Sequence, residues 1–170
     1  MNIEFVEKNL KDIKADFQIV LVVNKNLKHP WIGDIDDLKL LKFKGESEEI
    51  AFIPTSRAIY AVADINDAED IKIAISKCIK AISKTESKSL KIGTYGDSSI
   101  KHIVEGALLG SYIFDTFKSK KGESKLKHIY ISNEDYSDFR YDKKMAENEI
   151  IESSIIAKSV NIARDIINTP

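Results

Sequence analysis

Three histidines, one cysteine and a short run of aspartates are the side chains with which this 170-residue chain could hold a metal or attack a substrate. His29, His102 and His128 stand far apart, and no two histidines share the i, i+4 spacing that sets a metal-binding pair on one helix face. Solvent-facing or structural roles fit them best. Cys78 falls within the apolar series Ile71, Ile75, Cys78, Ile79 and Ile82. A small buried side chain is expected there rather than a thiolate nucleophile. A single cysteine also excludes an intrachain disulfide and a multi-cysteine zinc site. Asp34, Asp36 and Asp37 precede a short helical stretch, where acids answer the positive helix end. A cation loop needs further oxygen ligands converging from a defined turn.

Two other segments could bind rather than catalyse. Gly93, Thr94, Tyr95, Gly96, Asp97, Ser98 and Ser99 follow a strand and open a helix, a place where backbone amides can hold phosphate. The segment is neither the lysine-bearing phosphate loop nor the three-glycine dinucleotide fingerprint. Asp97 brings negative charge to the spot a phosphate would occupy, so a plain strand–helix turn is the expectation. Lys118, Lys120, Lys121, Lys125 and Lys127 concentrate positive charge in the region 118–127. Such a cluster supports salt-sensitive nucleic-acid binding, or it simply flanks a helix end and a strand with solubilising charge. No aromatic interleaving accompanies it.

The secondary structure around these residues reads clearly. Residues 17–23 are apolar at every position but Gln18, the pattern of a central strand covered on both faces. Residues 3–6 form a shorter alternating strand. Residues 49–53 and 57–63 are two strands joined through Pro54, Thr55 and Ser56, a hairpin that makes part of the sheet antiparallel. Residues 90–94 and 128–132 bring the count to about six. A short helix is expected near 36–41. A second begins near Asp67 with Asn66 as its cap, and a third runs from Asp97 or Ser98 to Phe117. Gly106 and Gly110, four apart within that third helix, cost propensity at ~1 kcal/mol each relative to alanine and signal a neighbouring backbone at close range. A last helix spans about 141–167. Its apolar set of Ile155, Ile156, Val160, Ile162, Ala163, Ile166 and Ile167 is wider than one contact surface requires.

Composition bounds the rest. Hydrophobic residues make up 43% and charged residues 31%, and 26 Lys and Arg nearly balance 27 Asp and Glu, so the chain is no general polyanion binder. Isoleucine outnumbers leucine 27 to 10, and only three arginines accompany the lysines, biases that read as genome composition. Apolar stretches fall short of the ~20 residues of a membrane span. The opening Met1-Asn2-Ile3-Glu4 is unlike a signal peptide. A cytoplasmic α/β domain is expected, and the Asn168-Thr169-Pro170 stop suggests a junction leading into a further segment.

Two motifs narrow this. Residues 105–121, beginning Glu105-Gly106-Ala107-Leu108-Leu109-Gly110-Ser111-Tyr112, resemble the "EG-x-x-LG-x-Y-x-F-x-x-YK-x-KK" helix of the cytosol (leucyl) aminopeptidase family. Residues 159–170, with Asn161, Ala163, Arg164, Asp165, Asn168 and Pro170, resemble that family's "N-LARDLVN-x-P" segment. Phe117 replaces the common tyrosine, and Ala63-Asp64-Ile65-Asn66 stands where relatives carry a "G-L-G-K" turn. The resemblance implies an α/β fold: a macro domain-like mixed sheet of about six strands between helices, followed by a long C-terminal linker helix. It implies a domain over 1–140 and an interdomain helix over 141–170.

The resemblance further implies a homohexameric parent enzyme that removes leucine-like N-terminal residues from peptides with two divalent ions, Zn or Mn. Their ligands, a lysine, three aspartates and a glutamate, would belong to a C-terminal domain with an "N-T-D-A-E-G-R" motif, which this chain lacks. No catalytic, cofactor or metal residue is therefore assigned to this chain. Ile155, Ile162 and Ile166 are expected to meet the catalytic domain. The alternatives are a nucleic-acid module using 118–127 and, from the macro-like fold, an ADP-ribose-type ligand binder.

Overall fold

The computed structural model describes residues 1–22, 27, 32–115, 124–133 and 139–169. Among these, six strands and four α-helices follow one another: β1 (Asn2–Phe5), β2 (Phe17–Val22), α1 (Ile35–Leu40), β3 (Ile50–Ile53), β4 (Ala58–Val62), α2 (Ala68–Ile82), β5 (Ser89–Gly93), α3 (Ser99–Gly110), β6 (His128–Ser132) and α4 (Lys143–Asn168). The strands form one sheet in the order β1-β6-β5-β2-β4-β3. Every neighbouring pair is parallel except β3 and β4, the expected hairpin, in which Ile53 pairs with Ala58. The fold is α/β with a mixed six-stranded sheet and a long C-terminal helix, as the sequence predicts.

β2 lies inside the sheet between β5 and β4, which explains its apolar run. On one face, Ile19 and Leu21 join Ile59, Ala61, Leu90, Ile92, Ile129 and Ile131 beneath buried residues of α2, α3 and the start of α4. On the other, Val20 and Val22 join Tyr60 and Val62 beneath Leu38 of α1, Ile32 and Phe43. Successive residues of the inner strands thus fill one of two cores according to the period-2 pleat. Asp16 brackets the entry to this sheet. Its carboxylate accepts the Lys88 and Ser89 amides at 2.7 and 3.0 Å, and its own amide donates to Ser89 Oγ at 3.0 Å.

The helix boundaries bring corrections. Asp67, not Asn66, caps α2: its carboxylate accepts the Glu69 and Asp70 amides. Asn66 instead donates its side-chain amide to Asp64 Oδ1 at 3.2 Å. α1 spans Ile35–Leu40, one residue earlier than expected. α3 ends at Gly110 rather than Phe117, and Phe114 lies outside it. Phe117 is outside the described residues. The glycine pair behaves as its spacing implies. A Cβ on Gly106 would sit 2.8 Å from the Lys72 carbonyl oxygen, and one on Gly110 would sit 2.6 Å from Ser76 Cα. α2 and α3 therefore touch backbone to backbone. Among the described residues no helix is long and apolar enough to cross a membrane.

Candidate functional site

α4 is the element with surface to spare. Asp142 caps it, accepting the Met145 amide at 2.8 Å. Ala146, Ser153 and Ala157 are buried against the domain, with Ile150 packed on the core beside them. At 3.6 residues per turn, Ile151, Ile155, Ile162 and Ile166 fall on the opposite side, within an arc of about 60°. The three expected contact residues lie open: Ile155 is 61% exposed, Ile162 60% and Ile166 70%. Ile156, Val160 and Ile167 form a second exposed apolar row on the flank. Isolated apolar side chains on a surface are ordinary, but two pairs of isoleucines aligned on one face over four turns, with Lys158 and Ser159 between them, mark a candidate contact surface.

The two motif segments meet in space. Asn161 Nδ2 donates to the Leu108 carbonyl at 3.2 Å and Arg164 Nη1 to the Leu109 carbonyl at 3.5 Å. These side chains answer carbonyls that the end of α3 leaves without helical amides. Tyr112, just past that end, donates its hydroxyl to Asp165 Oδ1 at 2.8 Å, and the Arg164 guanidinium lies 5.5 Å over its ring. The last turn of α3 is thus completed in part from α4, more than 50 residues away in sequence. Glu105, 5% exposed, is held by Lys72 of α2 at 2.9 Å, and Lys72 also pairs with Glu69 at 2.8 Å. The Glu105-Gly106 start of the motif thus fixes α3 to α2 by charge and by close approach.

The remaining candidates do not converge. His102 is half-buried on α3, where burial and the neighbouring Lys72 charge lower its pKa. His128 is exposed and stacks on Tyr130 with ring centroids 6.1 Å apart. His29 lies outside the described residues. Cys78 is fully buried, and burial pushes its thiol up to about 12, the opposite of an activated nucleophile. Asp34 accepts hydrogen bonds from Ser56 Oγ at 2.6 Å and Tyr60 Oη at 2.8 Å, so it anchors α1 to the sheet. Asp36 pairs with Lys39 at 3.1 Å on the surface.

The glycine-bearing loop before α3 is a turn with its own partners. Gly96 has φ +153°, Ser98 is left-handed at φ 60°, and the Ser99 hydroxyl donates to the Gly96 carbonyl at 2.7 Å. Glu149 of α4 reaches the amino end of α3 near the Lys101 amide and Tyr141. Burial raises the Glu149 pKa, and Asp97 adds to the rise. Two carboxylates, those of Asp97 and Glu149, thus stand near the place a phosphate would need. Lys118, Lys120 and Lys121 lie outside the described residues, while Lys125 and Lys127 are exposed. Among the described residues no group of three or more His, Cys, Asp or Glu could hold a metal ion. An open cleft of about 560 Å³ lies past the carboxyl ends of β1 and β6, bordered by Lys8, Asn9, Ser132, Asn133 and Arg140. Asn133 is already committed, donating to the Tyr141 carbonyl and accepting its amide, both at 2.9 Å.

Sequence reasoning missed the side-chain roles of Tyr112, Asn161, Arg164 and Lys72. Motif resemblance marked the first three without saying what they touch.

The family described as "Cytosol aminopeptidase family, N-terminal domain" matches residues 38–121. A probable cytosol aminopeptidase of Wolinella succinogenes is 35% identical over 164 residues, covering 95% of this chain and 34% of that protein. One from Campylobacter jejuni is 32% identical over 172 residues, covering 99% of this chain and 35% of that protein. The chain thus spans about a third of the length of these relatives. Among solved structures, a tomato leucine aminopeptidase mutant superposes over the whole chain with a TM-score of 0.78 at 14% identity, using 38% of its own length. The bottromycin maturation enzyme BotP superposes over 92% of the chain with a TM-score of 0.64 at 16% identity, using 33% of its own length. At these identities the superpositions speak for the fold.

Proposed function

Because the chain is the N-terminal domain of a member of the cytosol aminopeptidase family, we propose that it is the non-catalytic part of a cytoplasmic metalloaminopeptidase. In this reading, residues 1–140 are the α/β domain and residues 141–170 the interdomain helix. A following domain would hold two divalent ions, Zn or Mn, and remove leucine-like N-terminal residues from peptides. Paired metals activate a water and polarise the scissile carbonyl, but only within a converging ligand set. That set belongs to the following domain, and no catalytic role is assigned to this chain. The task of this domain is to pack on its catalytic partner and support a homohexamer.

One observation carries the reading: the row of open isoleucines on α4, on the side away from the domain's own core. Ile155, Ile162 and Ile166 would be buried by the catalytic domain. Full burial of one such side chain is worth about 1.5–3 kcal/mol, enough for three to fix an interdomain contact. The test is hydrolysis of leucine p-nitroanilide with added Mn²⁺ or Zn²⁺. The 170-residue chain is expected to be inactive, and the longer protein made from the same gene active and inhibited by chelators. Chelator-sensitive hydrolysis by this chain alone would overturn the assignment.

A further inference from the structure

We propose that Tyr112, Asn161 and Arg164 form a polar latch that sets the direction in which α4 leaves the domain. Among the described residues of α4, Ala157 is the last that is buried. The final three turns, 158–168, therefore continue past the apolar core. Asn161 and Arg164 are the only half-buried residues in that stretch, and both reach back to the carboxyl end of α3. Arg164 also lies 3.3 Å from Asn161 Oδ1, so the two side chains support one another. Tyr112 completes the arrangement from the α3 side, with its ring under the Arg164 guanidinium and its hydroxyl on Asp165.

This geometry fits positioning better than stability. A helix end held by apolar packing would tie its orientation to the melting of the core. One held by a few polar contacts can be released while the core stays folded, the behaviour of a low-stability local unit. A planar guanidinium over a ring, with carbonyls in fixed positions, also restricts rotation more than a flexible ammonium would. Residues from within both motifs come together here, so the latch ties the end of α3 to the last turns of α4. Its consequence for another domain rests on the proposed function, in which a catalytic domain follows α4.

Native-state hydrogen exchange of the chain tests the latch directly. The double variant Tyr112→Phe, Arg164→Gln is expected to speed exchange of amides 159–168 about tenfold, while amides of α2 and the sheet keep their rates. Arg164→Lys should give a partial effect, because the charge stays and the stacked fork is lost. Unchanged exchange in 159–168 would overturn the proposal. So would an equal rise throughout the domain, since that is a loss of global stability. Should the double variant fail to fold, Tyr112→Phe alone removes one hydroxyl and is judged by the same two patterns. An inactive longer protein would overturn the proposed function and leave the exchange result to judge the latch.

Discussion

A methyl group at position 110 would meet Ser76 Cα at 2.6 Å, a distance no side chain can absorb because the obstacle is backbone. At this scale the competition is between propensity and sterics. Alanine would favour the helix by ~1 kcal/mol, but forcing α2 and α3 apart costs more in a close-packed interior. Gly110→Ala should therefore destabilise the domain by about 2 kcal/mol, a fall in Tm of about 4–8 °C by thermal denaturation. An unchanged Tm would mean that the helices do not meet as described. This contact was legible in the sequence, since two glycines four apart on one face of a helix signal a backbone at close range. The neighbouring Lys72–Glu105 pair was not. Lysine and glutamate are too common in this chain for one pairing across two helices to stand out.

Among the elements, strands were more legible than helix ends. The apolar runs and the Pro54-Thr55-Ser56 punctuation mark β2, β3 and β4 because burial on one or both faces writes directly into the period-2 pattern. The end of α3 was not legible, because side chains from α4 complete its last carbonyls. No local rule reports a partner 53 residues away. The cap of α2 was displaced by one residue because Asn66 and Asp67 are both capable caps. Asp16 supplies an element-scale test, since it ties the start of β2 to that of β5. Hydrogen bonds from the Lys88 and Ser89 amides hold its carboxyl below the ordinary 3.8 despite the opposing effect of burial. The folded state thus prefers the ionised form. The resulting stabilisation is present above the unfolded value and fades as pH falls through the lower folded value. Asp16→Asn should lower stability at pH 7 by about 1 kcal/mol and remove this part of the acid sensitivity below pH ~4. Urea titrations at pH 7 and pH 3 read both effects. Equal losses for wild type and variant on acidification would contradict the role given to Asp16.

In the molecule as a whole, some apolar surface is satisfied and some is left open. The sheet fills two cores, yet α4 carries isoleucines on the side that faces neither. The excess of apolar residues in that helix was visible in the sequence. Within it, Ile155, Ile162 and Ile166 were legible as the residues to meet another domain, and they lie open; the packed row of Ala146, Ser153 and Ala157 was not legible, because small side chains barely register in an apolar pattern. In the proposed function the open side is covered by the catalytic domain. The most direct measurement is calorimetric titration of this chain with the separately purified peptidase domain, for the wild type and for Ile155→Ser, Ile162→Ser, Ile166→Ser combined. The three residues are exposed in this domain, so its melting temperature should hold and serve as the control for folding. Saturable binding by the wild type, weakened at least ~100-fold in the triple variant, is the expected result, equivalent to about 2.7 kcal/mol. Binding that is absent in the wild type, or equally strong in both, would contradict the assignment of this helix face to the domain junction.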